Sequence, residues 1–375
     1  MYNFTLYMTT DCNFKCQYCY EDYHNHYQLN EKTLVDSLEF MMNYGDRGKV
    51  LIDFLGGEPL LKKDLIYKAV AYIKDNYPER EVKYYITTNC SMMDDRFIAF
   101  MKENHFTVRL SFDGNKETHD LNRVAKDGVS CYEKIFENIM KVKDSGLNFS
   151  VRMTVTENTI PYMFENICYL HEHGLDNIAA KYDIDVLFNI VSSVGRAKEN
   201  SEILTDMEHL DMNLKIVKYI LNQGYEDKKI GGAFYQRVQV RNSCGGYGKV
   251  MAIFPEGDIY MCQCMEQNQV RMGNILSDEP QKILQELENL LKKDEIKRLF
   301  CAEYKEICKE CDYRYICGGH CLASEEPYDY RCIFLKAVLN YVLFYYDSKA
   351  NRRKNLEIYI EYMEEVKRRW EEEPN

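Results

Sequence analysis

The chain has 375 residues, more than one hydrophobic core usually organises, and 46% hydrophobic against 29% charged residues excludes a disordered or fibrous chain. With 48 Lys and Arg against 60 Asp and Glu the formal charge is -12, which excludes bulk-charge binding to nucleic acid or to an anionic membrane. No apolar run approaches the ~18 residues of a membrane helix, no basic stretch opens a signal peptide, and 15 cysteines in such a chain point to metal ligands in a cytoplasmic protein instead of disulfides.

In chain order, β-branched and aromatic runs predict strands at 4–8, 50–55, 82–87, 107–112, 149–155 and 185–190. Helical periodicity predicts helices between them, at 31–44, 65–76, 94–103, 131–144 and 161–173. In the first helix Leu34, Leu38, Met41 and Met42 share a face, and Pro161 suits the first turn of the last. Six strand–helix units imply an α/β fold with a parallel sheet, either a partial barrel or an open sheet. In both, chemistry belongs at the strand C-terminal ends. The loop from Cys12 to Cys19, the turn Gly56-Gly57-Glu58-Pro59, Thr88-Asn89 and Asp113-Gly114 follow the first four strands, so they converge on one end.

A helical stretch at 205–222 leads to a region rich in Cys and Gly, with strand-like pieces at 250–254 and 258–261 and an amphipathic helix at 281–291. Apolar periodicity is too sparse there for an independent core, so metal clusters are expected to supply the cross-links. Helix then runs through 333–346 and 351–373. The expected division is a barrel over 1–228, a cysteine-rich domain over 229–332 and a helical extension over 333–375.

Cys12, Cys16 and Cys19 place three thiols in one short loop. Three ligands suit a 4Fe–4S cluster with one open iron, and the alternative is a zinc site completed by His24 or His26. The spacing Cys-x3-Cys-x-Tyr18-Cys resembles that of the radical S-adenosylmethionine (radical SAM) enzymes. That resemblance implies a partial (β/α)6 barrel, S-adenosylmethionine on the open iron, and a 5′-deoxyadenosyl radical that abstracts hydrogen from the substrate. It also implies that Gly56, Gly57, Glu58 and Pro59 hold the methionine amino group, and that Asn89 lies near the ligand. Ser111, Phe112, Asp113 and Gly114, followed by His119, Asp120 and Arg123, resemble a segment of the peptide- and protein-modifying branch. Ser111 or Arg152 is the candidate for the methionine carboxylate. For Arg123 and Asp120 a structural ion pair stands beside a direct role.

Cys244, Gly257, Cys262, Cys308, Cys311, Cys317, Cys321 and Cys332 resemble the SPASM pattern of the same enzymes, spacing by spacing. The resemblance implies two auxiliary 4Fe–4S clusters, making three in all. One would be held by Cys308, Cys311, Cys317 and Cys332, and the other by Cys244, Cys262 and Cys321. Seven ligands for eight sites leave either an open iron or a role for Cys264 or Cys301. Cys131 and Cys168 read as small buried residues, and Cys90, after Asn89, as a core residue near the ligand. Gly257 fits a hairpin that needs positive φ.

The expected function is a peptide maturase that forms a thioether or C–C cross-link in a ribosomally made precursor. The alternative is an anaerobic sulfatase-maturing enzyme that makes formylglycine, and the remote alternative an iron–sulfur electron carrier. The sulfatase-maturing members carry an Asp base just after the second SPASM cysteine, where this chain has Gln263, and an amide cannot take the proton. They also tend to carry an eighth cysteine. Expected partners are a peptide or protein substrate, a reductant such as flavodoxin or ferredoxin, and a separate leader-binding protein, since 11 residues before Cys12 leave no room for a leader-binding domain.

Overall fold

The computed structural model describes residues 2–19, 21, 26–44, 48–155, 158–175, 186–190, 247–263, 270–317 and 352–372, with single positions at 211, 214, 215, 218 and 222. Six parallel strands alternate with helices: β1 (Tyr2–Tyr7), α1 (Glu31–Asn43), β2 (Val50–Leu55), α2 (Lys63–Asn76), β3 (Val82–Thr88), α3 (Asp95–Glu103) and β4 (Thr107–Ser111). Then come α4 (Lys116–Asn122), α5 (Tyr132–Asp144), β5 (Asn148–Val155), α6 (Met163–Glu172) and β6 (Val186–Ile190). Side-chain caps start the helices: Asn30 accepts from the Thr33 amide, Asp94 from Phe97 and Asn115 from Thr118. The predicted strands and helices of the first half are all present, with shifted ends. The helix α4 adds to them. It has six charged and polar residues and a lone Leu121, with no apolar stripe, so periodicity does not reveal it.

Each strand turns one face to the helices. Phe4, Leu6, Ile52, Phe54, Ile86, Val108, Leu110 and Val151 are fully buried there. The opposite face, which a barrel turns inward, carries Asn3, Thr5, Asp53, Tyr85, Thr87, Arg109, Ser111 and Arg152 at alternate positions. The sheet is therefore apolar outside and mixed within, where these polar residues alternate with Tyr7, Leu51 and Leu55.

The cysteine-rich region is not separate from this sheet. Strand β7 (Val250–Ile253) pairs in parallel with β1, and β8 (Asp258–Tyr260) and β9 (Arg271–Asn274) continue antiparallel, in the order β6-β5-β4-β3-β2-β1-β7-β8-β9. The edge of β1 would otherwise present unpaired backbone groups. Met251, Ile253, Phe254 and Ile259 join the common core, and Phe254 stacks on Tyr7 at 4.3 Å. Gly257 turns the β7–β8 hairpin at φ 93°, as its position suggests. The amphipathic helix is Pro280–Lys292, and a second, Asp294–Phe300, follows it. The charged terminal segment is the helix Arg352–Glu372. The helical stretch at 205–222 lies mostly, and that at 333–346 wholly, outside the described residues, as do both expected domain boundaries. Among the described residues no helix is long and apolar enough to cross a membrane.

Candidate active site at the end of the barrel sheet

The loop that follows β1 is braced from two sides. On one side the end of β2 continues its pairing into it: the Gly57 amide donates to Thr9 O at 2.9 Å and the Glu58 amide to Asp11 O at 2.9 Å. This approach requires glycine. A Cβ on Gly56 would lie 2.2 Å from Thr9 O, and one on Gly57 2.3 Å from Asp11 O. On the other side the segment after α4 forms a short ladder with the loop. Lys15 N donates to Val124 O at 2.7 Å, Gln17 N to Asn122 O at 3.1 Å and Lys126 N to Asn13 O at 3.0 Å. The three thiols thus ride on backbone fixed by the fold.

Glu58 is buried beneath the loop. Its Oε1 accepts from Leu60 N at 3.0 Å and the Thr88 hydroxyl at 2.7 Å, and its Oε2 from Asn89 N at 2.8 Å. Burial outweighs these bonds and raises its pKa to about 7. One acceptor position on Oε2 remains for a ligand cation. Pro59 opens the short 3-10 turn Pro59–Lys62 that leads into α2. Asn89 donates to Cys12 Sγ at 3.9 Å and to Asn13 Oδ1 at 3.0 Å. Burial, then the Glu58 carboxylate, push the Cys12 thiol up, so a metal that takes the thiolate must displace a tightly held proton.

Asp113 is fully engaged. Arg123 donates to it through Nε at 2.8 Å and Nη2 at 3.0 Å, the Tyr18 hydroxyl at 2.9 Å and Thr154 N at 2.9 Å. These bonds use the capacity of a carboxylate. Asp113 and Tyr18 therefore tie the cysteine loop to the ends of β4 and β5. Arg123 pairs with Asp113, and Asp120 with Lys116 at 2.6 Å, so the two do not pair with each other. Ser111 and Arg152 are register neighbours on β4 and β5, so both stand at one place on the inner face.

Three thiols on one short loop suit a 4Fe–4S cluster with one open iron. Cys12 feels the charges of both Cys16 and Cys19. Yet no three His, Cys, Asp or Glu side chains among the described residues converge on one ion. A 4Fe–4S cluster takes each thiolate on a different iron. His26, 60% exposed in its side chain, pairs with Asp11, and His24 lies outside the described residues.

In the C-terminal region Cys262 follows β8 and is partly buried, and Cys308 is buried. The Cys311 amide donates to Cys308 O at 3.1 Å, which fixes this Cys-x2-Cys turn. Cys317 ends the helix Arg314–Cys317. Cys244, Cys264, Cys321 and Cys332 lie outside the described residues. The Cys301 thiol interacts with the Tyr247 hydroxyl. Cys90 is fully buried at φ 63°, as a core position, whereas Cys131 and Cys168 are partly exposed, contrary to expectation. The exposure follows from position: Cys131 precedes α5, and Cys168 lies on the less buried side of α6.

Two inner-face residues were not singled out from the sequence. Asp53 in β2 and Arg109 in β4 pair at 2.5 Å. Their signal is a charge in the middle of a predicted strand. Beside them, Thr5 donates to Gln263 Oε1 at 3.4 Å and the Tyr7 hydroxyl to Gln263 O at 3.5 Å, which sets Gln263 against the inner face of β1.

The pattern of the Radical SAM superfamily matches residues 6–184. The chain is 25% identical over 341 residues to a cysteine-type anaerobic sulfatase-maturating enzyme of Clostridium perfringens, covering 84% of this chain and 86% of that protein. It is 23% identical over 341 residues to the serine-type enzyme of Bacteroides thetaiotaomicron, covering 83% and 80%. Among solved structures, anSMEcpe with bound AdoMet and Cp18Cys peptide has TM-score 0.71 at 18% identity, over 98% of this chain and 99% of that one. Streptococcus suis SuiB bound to precursor peptide SuiA has TM-score 0.59 at 17% identity, over 86% and 72%. The superfamily implies a 4Fe–4S cluster and S-adenosylmethionine, which the three-thiol loop and the Glu58 carboxylate suit. The chain carries a radical SAM domain over residues 6–184.

Proposed function

We propose that this enzyme modifies a Cys or Ser side chain of a peptide or protein substrate, in the manner of the sulfatase-maturating enzymes. The observation that carries the reading is the length of the likeness: the two sulfatase-maturating relatives match over 84% and 83% of this chain, through the cysteine-rich region as well as the barrel. This reverses the preference drawn from Gln263 and the missing eighth cysteine. Two neighbours solved with bound peptides support a peptide substrate.

In this reading Cys12, Cys16 and Cys19 hold the first cluster. Gly56, Gly57, Glu58, Pro59, Asn89, Ser111 and Arg152 frame S-adenosylmethionine, with Tyr18 and Asp113 behind them. Glu58 takes the ligand ammonium at its remaining acceptor position, and Arg152 or Ser111 the carboxylate. When bound, the cluster and S-adenosylmethionine together supply a carbon radical that removes hydrogen from the substrate. Cys308, Cys311, Cys317 and Cys332 hold one auxiliary cluster and Cys244, Cys262 and Cys321 another, with Cys264, Cys301 or an open iron completing it. A flavodoxin- or ferredoxin-type protein delivers electrons.

One observation favours a second reading, a peptide maturase that forms a cross-link. Gln263 lies against the inner face where the sulfatase-maturing members carry their base, and its amide cannot accept a proton. Anaerobic incubation of the reconstituted enzyme with S-adenosylmethionine, dithionite and a Cys-containing peptide separates the readings. An aldehyde trapped by a hydrazine reagent supports the first. A product that has lost two hydrogens and resists the reagent supports the second.

A further inference from the structure

Asp53 stands on the inner face of β2, between Thr5 of β1 and Tyr85 of β3 in the ladder. Its Oδ2 is held by Arg109 Nη1 at 2.5 Å. Arg109 reaches it by crossing β3, with its guanidinium 4.8 Å above the Tyr85 ring. Asp53 Oδ1 is buried and has no hydrogen-bond partner among the described residues. Thr87 Oγ1 and Asn3 Oδ1, on the same face of adjoining strands, are in the same condition. Asp53 Oδ1 is therefore an open acceptor on a face that also carries Thr87 and Asn3.

Thr5 connects this carboxylate to Gln263. It is the ladder neighbour of Asp53, and its hydroxyl donates to the Gln263 side chain at 3.4 Å. The amide and the carboxylate are therefore both neighbours of Thr5 on the inner face. The charged and titratable groups on the face of Asp53 are Arg109 from β4, Arg152 from β5 and Tyr85 from β3, while β1 contributes Thr5 and, two residues on, Tyr7. Burial raises the proton affinity of Asp53, and Arg109, then Arg152, oppose it.

We infer that Asp53 is the proton acceptor for the thiol or hydroxyl of the substrate side chain, doing what Gln263 cannot. The inference rests on the reading that the substrate is a peptide bearing Cys or Ser. In the step, the S–H or O–H bond breaks heterolytically. Its proton goes to Asp53 Oδ1 and its electron pair stays on sulfur or oxygen. Asp53 becomes a neutral acid, the substrate gains one negative charge that faces Arg109, and no electron changes owner. Arg109 keeps its bond to Oδ2, which aims Oδ1 at the substrate.

The test uses the reconstituted enzyme with S-adenosylmethionine, dithionite and a Cys-containing peptide or its Ser counterpart. Peptide product formed per 5′-deoxyadenosine is measured for wild type, Asp53→Asn and Asp53→Glu between pH 5 and 9. General-base loss predicts a ratio at least ~100-fold lower in Asp53→Asn and ~10-fold lower in Asp53→Glu. The acid limb of the wild-type profile should vanish in Asp53→Asn. Iron content reads folding. If Asp53→Asn loses its iron, Asp53→Glu decides, because it keeps the charge that pairs with Arg109. An unchanged ratio in a variant that retains iron overturns the assignment alone. A wild type that makes 5′-deoxyadenosine with either peptide but no peptide product overturns the underlying reading and the assignment together.

Discussion

Two regions of this chain present cysteines, and they hold them in different ways. In the barrel loop, Cys12, Cys16 and Cys19 sit on backbone paired with Gly57 and Glu58 on one side and with residues 122–126 on the other. The C-terminal region places Cys308, Cys311 and Cys317 on helices and turns of four residues or fewer, Glu306–Lys309 and Arg314–Cys317. Helices that short do not stand on their own hydrogen bonds. The barrel loop is therefore built without its cluster, whereas the C-terminal turns would depend for cross-linking on the auxiliary cluster proposed for them.

The largest expected effect comes from replacing cysteines in each region. Cys12→Ala, Cys16→Ala and Cys19→Ala together should abolish 5′-deoxyadenosine formation and remove about four irons, with little change in thermal midpoint. Cys308→Ala with Cys311→Ala should also remove about four irons, but lower the midpoint as well. Iron analysis and calorimetry on anaerobically reconstituted protein check both. Equal losses of stability would erase the contrast.

Next is the buried ion pair that ties the loop to the sheet. Arg123→Ala leaves Asp113 charged and fully buried without its guanidinium, and should cost about 3–5 kcal/mol. Arg123→Lys keeps the charge and loses the two-pronged geometry, so it should recover part of the loss. Denaturant unfolding of the cluster-free protein measures the cost without interference from iron. A loss below about 1 kcal/mol would mean that the ladder with residues 122–126 suffices.

How much of this was legible follows from how far apart the contributing residues lie. Runs of β-branched and aromatic residues within one segment located β2 and the other five parallel strands, because that signal is local. The cysteine loop, Glu58 and Asn89 were legible as a site because each follows a successive strand of one parallel sheet. The pairing of β7 with β1 was not, because it joins residues 3–6 to residues 250–253 and neither strand names its neighbour. Asp113 shows the same limit. It stands in a cofactor-like motif, but its carboxylate is consumed by Tyr18, Arg123 and Thr154, which meet only in the fold. Asp53 and Arg109 were visible as charges within strands, and only the register shows that they face each other on the inner wall.

Glu58→Gln is a smaller and sharper probe of the preformed site. The amide keeps the shape but removes the charge that an ammonium would meet. A hydrogen bond to a charged group is worth about 1.5–3 kcal/mol, so S-adenosylmethionine should bind about 10- to 100-fold more weakly. Equilibrium dialysis on the reconstituted enzyme reads this directly, and iron content should not change.

The smallest effect is in the pH dependence of the same group. Burial raises the Glu58 pKa from 4.5 to about 7 in the ligand-free fold. A raised carboxyl stabilises the fold in its protonated form. That contribution is complete below about pH 4.5 and is lost as pH climbs through about 7. Relative to Glu58→Gln, the ligand-free wild type should therefore lose stability between pH 5 and pH 8. An ammonium ligand favours the carboxylate, so binding has the opposite slope. Affinity for S-adenosylmethionine should rise with pH through about 7, with proton release when the free enzyme starts protonated. Calorimetric titrations at pH 6 in two buffers of different ionisation enthalpy detect the released proton, and Glu58→Gln should release none at this position. A wild type that binds equally well at pH 6 and pH 8 would place the ammonium elsewhere and leave Glu58 as a brace for Thr88 and Asn89. The barrel loop would then be preformed for its cluster alone.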